Sequence, residues 1–185
     1  LPDDGKTNTW RWHAKRFATW LKTGKLAYRV FIPGNTKLSF YAFSTLPAFT
    51  CPGMGKCGEY CYSFLAWRYP AAFFRQLQNS LHVKFDKEKL ASEFNALPEG
   101  TTIRLYVDGD FCSVETVAFW MEQIASRPDL NVYGYSKSWE ELLRHDANCM
   151  GKWPSNYTLN VSSGSKWENI PAVKQSILSL PITRH

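Results

Sequence analysis

The residues with the clearest chemical potential are three cysteines in a short glycine-rich segment. Cys51, Cys57 and Cys61 lie within eleven residues, in the sequence CPGMGKCGEYC, with a C-x5-C-x3-C spacing. Thiolates are soft ligands that suit iron–sulfur clusters and zinc. The glycines allow positive φ angles and a close approach of the backbone to a bound group. The segment therefore predicts a metal site with these three thiols as ligands, and a 4Fe–4S cluster is the leading interpretation.

Two other interpretations of the cysteine segment stay open. Structural zinc takes four ligands, often as paired Cys-x2–4-Cys motifs, and the chain contains no C-x2-C pair. Alternatively, the cysteines are small apolar side chains of a core. In a cluster, the fourth iron is either open, occupied by a small ligand, or bound by Cys112, which follows a predicted strand. Cys149 follows a predicted helix and is interpreted as a structural thiol.

Strands and helices alternate along the chain, and these elements must position the three thiols. Strands are predicted over residues 37–43, 101–107, 130–135 and 157–161, and helices over residues 9–22, 113–125, 139–146 and 171–178. The pattern between residues 60 and 97 is also helical, with a break or new start at Pro70. Strand–helix alternation implies right-handed crossovers and a mainly parallel sheet. We therefore expect an α/β fold, a partial or open (βα) barrel of about four parallel units.

Polar residues follow the second and third predicted strands. Asp110 ends the run Asp108-Gly-Asp, and Ser136 and Lys137 follow Tyr135. Loops after parallel strands emerge at the carboxyl edge of the sheet, where such folds place their chemistry. We therefore expect Asp110, Ser136 and Lys137 to line a cofactor-binding pocket beside the cysteines. Simpler interpretations also stay open: Asp110 lies in a turn that caps the next helix, and Lys137 forms a structural ion pair with Asp110. No catalytic residue is assigned.

The positive charge of the chain is concentrated near the start of the sequence. The formal net charge is +6, and residues 1–38 hold eight basic and two acidic side chains, so the remainder is neutral. Here Arg11, Lys15 and Arg16 alternate with aromatic residues such as Trp12. Cations contact phosphates and aromatic rings stack on bases, so these four residues are candidates for nucleic-acid binding. The alternative is an amphipathic helix whose aromatic residues pack on the barrel.

Composition also bears on domain organisation and location. We divide the chain into a basic aromatic helical arm over residues 1–33 and a metal-binding barrel domain over residues 34–185. No apolar stretch approaches the ~18 residues that a membrane span needs, so we expect no membrane association. Five cysteines, three of them clustered, fit a disulfide framework poorly and indicate a reducing, cytoplasmic compartment.

Several motifs taken together resemble a known family. They are GNTKL at residues 34–38, CPGMGKC at 51–57 with the following Cys61-Tyr62, GDF at 109–111 and YSKS at 135–138. The combination is similar to the phage gene product 88 family of phages, plasmids and other mobile elements, over about residues 34–165. The resemblance implies a radical-SAM-like partial barrel in the cytoplasm of a bacterial host. Radical-SAM enzymes bind S-adenosylmethionine at an open cluster iron, although their usual spacing is C-x3-C-x2-C.

The residues and the resemblance together predict two classes of function. The first is a 4Fe–4S protein of a phage- or plasmid-type mobile element. It would have a pocket at the carboxyl edge of the sheet for a small molecule or a ligand of the S-adenosylmethionine type, and radical-SAM-like or redox activity stays open. The second is a module that binds nucleic acid or a host or phage protein, in which the metal, as iron–sulfur cluster or zinc, is a structural staple.

Overall fold

A computed structural model of the chain describes residues 9–34 and 39–184. Its sheet has four strands, β1 (Tyr41–Ala42), β2 (Thr102–Leu105), β3 (Asn131–Ser136) and β4 (Tyr157–Val161). All neighbouring strands are parallel, and their order in the sheet follows the chain. The predicted α/β class with four parallel strands is confirmed. Residues 35–38, which include part of the predicted first strand and of the GNTKL motif, lie outside the described residues.

The helices are α1 (Trp10–Thr23), a 3-10 helix (Lys56–Tyr60), α2 (Ser63–Ala66), α3 (Pro70–Phe85), α4 (Lys87–Asn95), α5 (Val114–Ser126), α6 (Trp139–Cys149) and α7 (Pro171–Leu178). Pro70 begins α3, because a proline at the first helical position loses no hydrogen bond. The helical stretch has a further break at Asp86. The Asp86 carboxylate accepts the N–H of Lys89 at 3.1 Å and caps α4.

The sheet has one buried face and one open face. Ile103, Leu105, Val132 and Leu159 are at most 2% exposed and belong to the main core, together with side chains from α4 to α7. Sequential strands joined by right-handed crossovers place their helices on the same face. The alternate strand positions, such as Arg104, point to the other face and stay partly exposed. This open sheet is consistent with a partial barrel.

Short segments pair with both outer strands. Ile32 pairs with Ala42 of β1 in antiparallel fashion, and Thr183 pairs with Leu159 of β4 in parallel fashion. Paired edges protect a sheet from unwanted association with other chains. Among the described residues, no helix has the length and apolar character needed to cross a membrane.

The first helix packs on the body of the protein. The Thr9 hydroxyl accepts the N–H of Trp12 at 3.2 Å and caps α1. Phe17 and Trp20 are 8% and 7% exposed, and they form a second apolar cluster with residues of α3 such as Phe74. The predicted amphipathic packing of the aromatic residues of α1 is therefore confirmed for Phe17 and Trp20. The domain boundary after residue 33 stays a prediction.

Candidate metal and ligand site

Loops from the carboxyl ends of the four strands surround a cavity of about 340 Å³. The loop after β1 contributes three thiols, and the loops after the other strands contribute Asp110, Lys137 and Ser162. Because parallel strands end at the same edge, residues far apart in the sequence meet here. The structure thus brings five of the predicted site residues to one cavity: Cys51, Cys57, Cys61, Asp110 and Lys137.

The cysteine segment is held by backbone contacts with the loop after β4. The N–H groups of Gly55 and Cys57 both donate to the carbonyl oxygen of Gly164, at 3.2 and 3.4 Å. A Cβ atom on Gly55 would lie only 2.6 Å from the backbone nitrogen of Lys166. Glycine is therefore required here by close backbone approach. The 3-10 helix Lys56–Tyr60 contains Cys57 and is followed by Cys61, and both residues line the cavity.

The three cysteines form no disulfide and are partly buried. Burial, reinforced by the charge of Asp110, raises the pKa of Cys51 to about 12, so this thiol carries a proton when no metal is bound. The thioether of Met54 lines the same cavity. Within residues 9–34 and 39–184, no three His, Cys, Asp or Glu side chains are grouped closely enough for a single metal ion. The donor set is therefore rich in sulfur but spread around the cavity.

The buried carboxylate of Asp110 connects the loops after β2 and β3. Its Oδ1 accepts from the Ser136 hydroxyl at 2.7 Å and from the N–H of Phe111 at 2.8 Å. Its Oδ2 accepts from the N–H groups of Lys137 at 2.7 Å and Ser138 at 3.2 Å. Burial raises the pKa of Asp110, although these donors oppose the shift. Asp110 therefore positions the loop that carries Lys137, and Ser136 supports it from a buried position.

Two cations lie on the wall of the cavity. The ammonium group of Lys137 donates to the Ser162 hydroxyl at 2.8 Å, and it makes no ion pair with Asp110. The interpretation of Lys137 as an ion-pair partner of Asp110 is therefore wrong, because only its backbone N–H meets that carboxylate. The Arg104 guanidinium lies 4.9 Å from the centre of the Tyr135 ring. These cations suit a ligand with a carboxylate or phosphate group.

The remaining two cysteines lie away from the cavity wall. The Cys112 thiol is 3.2 Å from the hydroxyl of Thr116, and its side chain packs against the main core. The N-cap Ser113 starts α5 directly after Cys112, which places the thiol beside the first turn of that helix. Cys149 ends α6, with its sulfur 3.6 Å from the carbonyl oxygen of Asp146. A role for Cys112 as fourth ligand stays a prediction.

The candidate nucleic-acid-binding residues of α1 are partly engaged within the protein. The Arg16 guanidinium lies over the rings of Trp12 and Tyr28, at 5.4 and 4.8 Å from their centres. Arg11 has a buried Nη1 atom. Lys15 is exposed. The aromatic and cationic groups of this helix are therefore used at least in part to hold it against the body of the protein.

Sequence reasoning assigned no role to Arg104 or Tyr135, although both line the cavity. Each lies inside a strand, at a position that alternates with buried neighbours such as Ile103 and Gly134. Strand residues two apart share a face, so this alternation could have placed both side chains on the open face. The approach of Tyr62, whose hydroxyl donates to the Val107 carbonyl at 2.9 Å, has no comparable signal in the sequence.

Comparisons with known proteins bear on the family of the chain. No curated protein and no solved structure matches it. A family model described as Gene product 88 matches residues 11–177. The match includes nearly all of α1 and the whole cysteine segment, so it extends further in both directions than the predicted span of residues 34–165. The chain belongs to the gene product 88 family.

Proposed function

We propose that this chain is an iron–sulfur protein of a phage- or plasmid-type mobile element. In this proposal Cys51, Cys57 and Cys61 hold a 4Fe–4S cluster at the carboxyl edge of the sheet. The observation that supports it is the convergence of three free cysteines from one loop on a single cavity. Iron–sulfur clusters are held by cysteine thiolates, and a glycine-rich loop lets the backbone approach such a cluster.

The spacing of the cysteines favours a cluster over zinc, because the chain has no C-x2-C pair. A zinc ion needs its ligands at bonding distance from one centre, whereas the thiolates of a cluster bind different irons and stand further apart. In the described ranges no three-ligand group fits a single ion. The position of Cys112 against the core supports a cluster with three protein ligands and one open iron.

The cavity beside the thiols contains cations that favour a small ligand with an anionic group. A ligand of the S-adenosylmethionine type carries such a group, its carboxylate. Lys137, oriented by Ser162, would bind a carboxylate, and Asp110 would keep the Lys137 loop in place. When bound, a cluster with an open iron supplies one-electron transfer and a coordination position for the ligand. The parallel order of the strands, with the cysteine loop directly after β1, is the feature that supports a radical-SAM-like barrel.

An anaerobic preparation with matched cysteine variants tests this proposal. We expect the purified protein to show a broad absorption band near ~400 nm, from thiolate-to-iron charge transfer. Cys57→Ser should remove the band, whereas Cys149→Ser should retain it because Cys149 lies away from the cavity. A colourless protein that contains zinc would contradict the cluster, and equal loss of the band in both variants would contradict the assignment of its ligands.

A second candidate function is nucleic-acid binding by the basic helix α1, with the metal as a structural staple. It is supported by the net charge of +6 carried within residues 1–38. The test is binding of single-stranded DNA by Lys15→Gln/Lys22→Gln, which keeps the buried aromatic residues of α1 in place. A loss of affinity and a shallower salt dependence would support this function. Unchanged binding would exclude α1 as its basis.

A further inference from the structure

The open face of the sheet continues away from the thiol cavity. A second cavity of about 350 Å³ lies there, lined by residues of β3, β4 and the segment that pairs with β4, among them Tyr133, Asn160 and Arg184. Tyr135 lines both cavities, so they adjoin at its ring. This side chain is 45% exposed although it belongs to an inner strand of the sheet. The face therefore offers a continuous surface longer than the thiol cavity alone.

Two tyrosine rings and a guanidinium group lie side by side on this face. In the register of the strands, Arg104 of β2 lies beside Tyr133 of β3, and Tyr133 lies beside Thr158 of β4. The Arg104 guanidinium also lies over the Tyr135 ring. Its Nε atom is buried without a hydrogen-bond partner in the described part of the chain. Buried donors are normally paired, so this nitrogen is available to an acceptor on a ligand.

The open face of the sheet is positively charged. Strands β2, β3 and β4 contain no Asp or Glu. None of the ion pairs found among the described residues involves Arg104, Lys137 or Arg184. Asp110 is the one acidic residue that lines either cavity within the described residues, and its two oxygens are already taken by four donors. These three cations have no acidic partner within residues 9–34 and 39–184, and they favour an anionic occupant.

We propose that this open face binds a nucleotide, either free or as part of a single strand. Rings of Tyr133 and Tyr135 would stack on bases, and Arg104, Lys137 and Arg184 would bind phosphates. Amide and hydroxyl groups such as those of Asn160 would meet base edges. Stacking needs the exposed faces of unpaired bases, which a duplex does not offer. An acidic peptide would satisfy the cations but not the tyrosines, so the nucleotide is the better match.

This inference does not require a cluster, although the site shares Arg104, Tyr135 and Lys137 with the thiol cavity. Binding measurements on the full chain test it. The probe is a fluorescently labelled oligothymidylate of about eight nucleotides, within the site sizes of single-strand-binding folds. We expect Tyr135→Leu to weaken binding about tenfold and Tyr135→Phe to retain it, because base stacking needs the ring. Arg104→Gln should reduce the slope of log affinity against log salt by about 0.7, the value for one phosphate contact.

Control variants show whether binding occurs at the open face, and competitors show whether the site takes one nucleotide or a strand. Phe85→Ala and Arg144→Gln remove an exposed ring and an exposed cation from the helical side, and they should leave the affinity unchanged. The iron content of each preparation, measured beside its affinity, separates this result from the presence of a cluster. Competition by thymidine monophosphate indicates a site for one nucleotide, and competition by the oligomer alone indicates a strand; either result supports the proposal.

Three results would overturn the inference. The first is competition by polyglutamate as strong as that by the oligonucleotide, since charge alone would then explain binding. The second is equal affinity of Tyr135→Leu and the parent chain, with melting curves showing that both are folded. The third is a dimer in sedimentation that Tyr135→Leu converts to a monomer, because the face would then be an interface between two copies of this chain.

Discussion

The backbone of Gly53 lies directly against the carbonyl oxygen of Lys137. A Cβ atom on Gly53 would be 1.7 Å from that oxygen, far inside any van der Waals contact. The cysteine segment after β1 and the loop after β3 therefore pack without any intervening side chain. This contact holds the segment with the three thiols against the loop that carries Lys137.

Gly53→Ala should displace the cysteine segment, because the neighbouring atom is backbone and cannot rotate away. We expect a lower melting temperature and a lower iron content per chain than in the parent protein. Gly151→Ala is the matched control. Gly151 has a φ of +72° and open space around it, so alanine there should cost about 1 kcal/mol of backbone strain and leave the iron content unchanged. Equal iron contents in the two variants would refute the role of the Gly53 contact.

Asp110→Asn should destabilise the loop after β3 although it changes the shape of the side chain very little. The amide can accept with only one of its two terminal atoms, so backbone N–H groups of Lys137 or Ser138 lose their acceptor. We expect a loss of about 1–3 kcal/mol in the free energy of unfolding, measured by urea denaturation.

The partly exposed pair of Arg127 and Asp129 provides the comparison for Asp110→Asn. Their contact of 2.6 Å lies near the surface, so Asp129→Asn should lower the free energy of unfolding less than Asp110→Asn does, because water screens the pair. If Asp110→Asn costs no more than Asp129→Asn, Asp110 does not hold the loop.

Cys112→Ser should leave both the iron content and the absorption spectrum of the protein unchanged. The reason is that the Cys112 thiol contacts Thr116 and the core, and it does not line the cavity that holds the other three thiols. Iron analysis of Cys112→Ser beside Cys61→Ser checks this expectation. Loss of iron from both variants would establish Cys112 as a fourth ligand.

The stability of the protein should decrease below neutral pH. His13 is buried, with its Nδ1 atom 2.7 Å from the Tyr28 hydroxyl, and burial together with Arg16 and Arg75 lowers its pKa. Burial likewise lowers the pKa values of His82 and His145. The unfolded chain therefore binds protons more tightly than the folded chain. The contribution of these neutral histidines is complete above the ordinary pKa of about 6.5 and is lost as the pH falls below it.

Melting curves of the parent chain and His13→Gln check this pH dependence. The melting temperature of the parent should fall between about pH 7.5 and pH 5.5, the range in which an ordinary histidine titrates. His13→Gln should show a smaller fall, because one of the three groups no longer takes up a proton on unfolding. Parallel curves for the two proteins would mean that His13 does not contribute.

Much of the fold could be predicted from the sequence because its signals are local. Strand β4 and helix α7 have the predicted limits, since a period-two run marks the first and Pro171 begins the second. Strand β1 is shorter than the predicted residues 37–43 and has two residues, Tyr41–Ala42. Its pairing depends on the distant strand β2 and on Ile32, which no local pattern reveals.

The residues that line the site could be predicted only where they directly follow a strand. Lys137 and Asp110 were placed at the cavity because parallel strands end at one edge. Their hydrogen bonds could not be predicted, because the contact between Lys137 and Ser162 spans 25 positions and depends on the register of β3 against β4. Cys112 also follows a strand, yet the start of α5 turns its thiol towards the core.

The amount of iron and acid-labile sulfide in protein purified without oxygen tests the iron–sulfur centre most directly. The proposed cluster on Cys51, Cys57 and Cys61 predicts about four irons and four sulfides per chain, the composition of a 4Fe–4S centre. The same count should fall to near zero in Cys57→Ser and stay unchanged in Cys149→Ser. A protein that contains zinc or no metal, without sulfide, would contradict it.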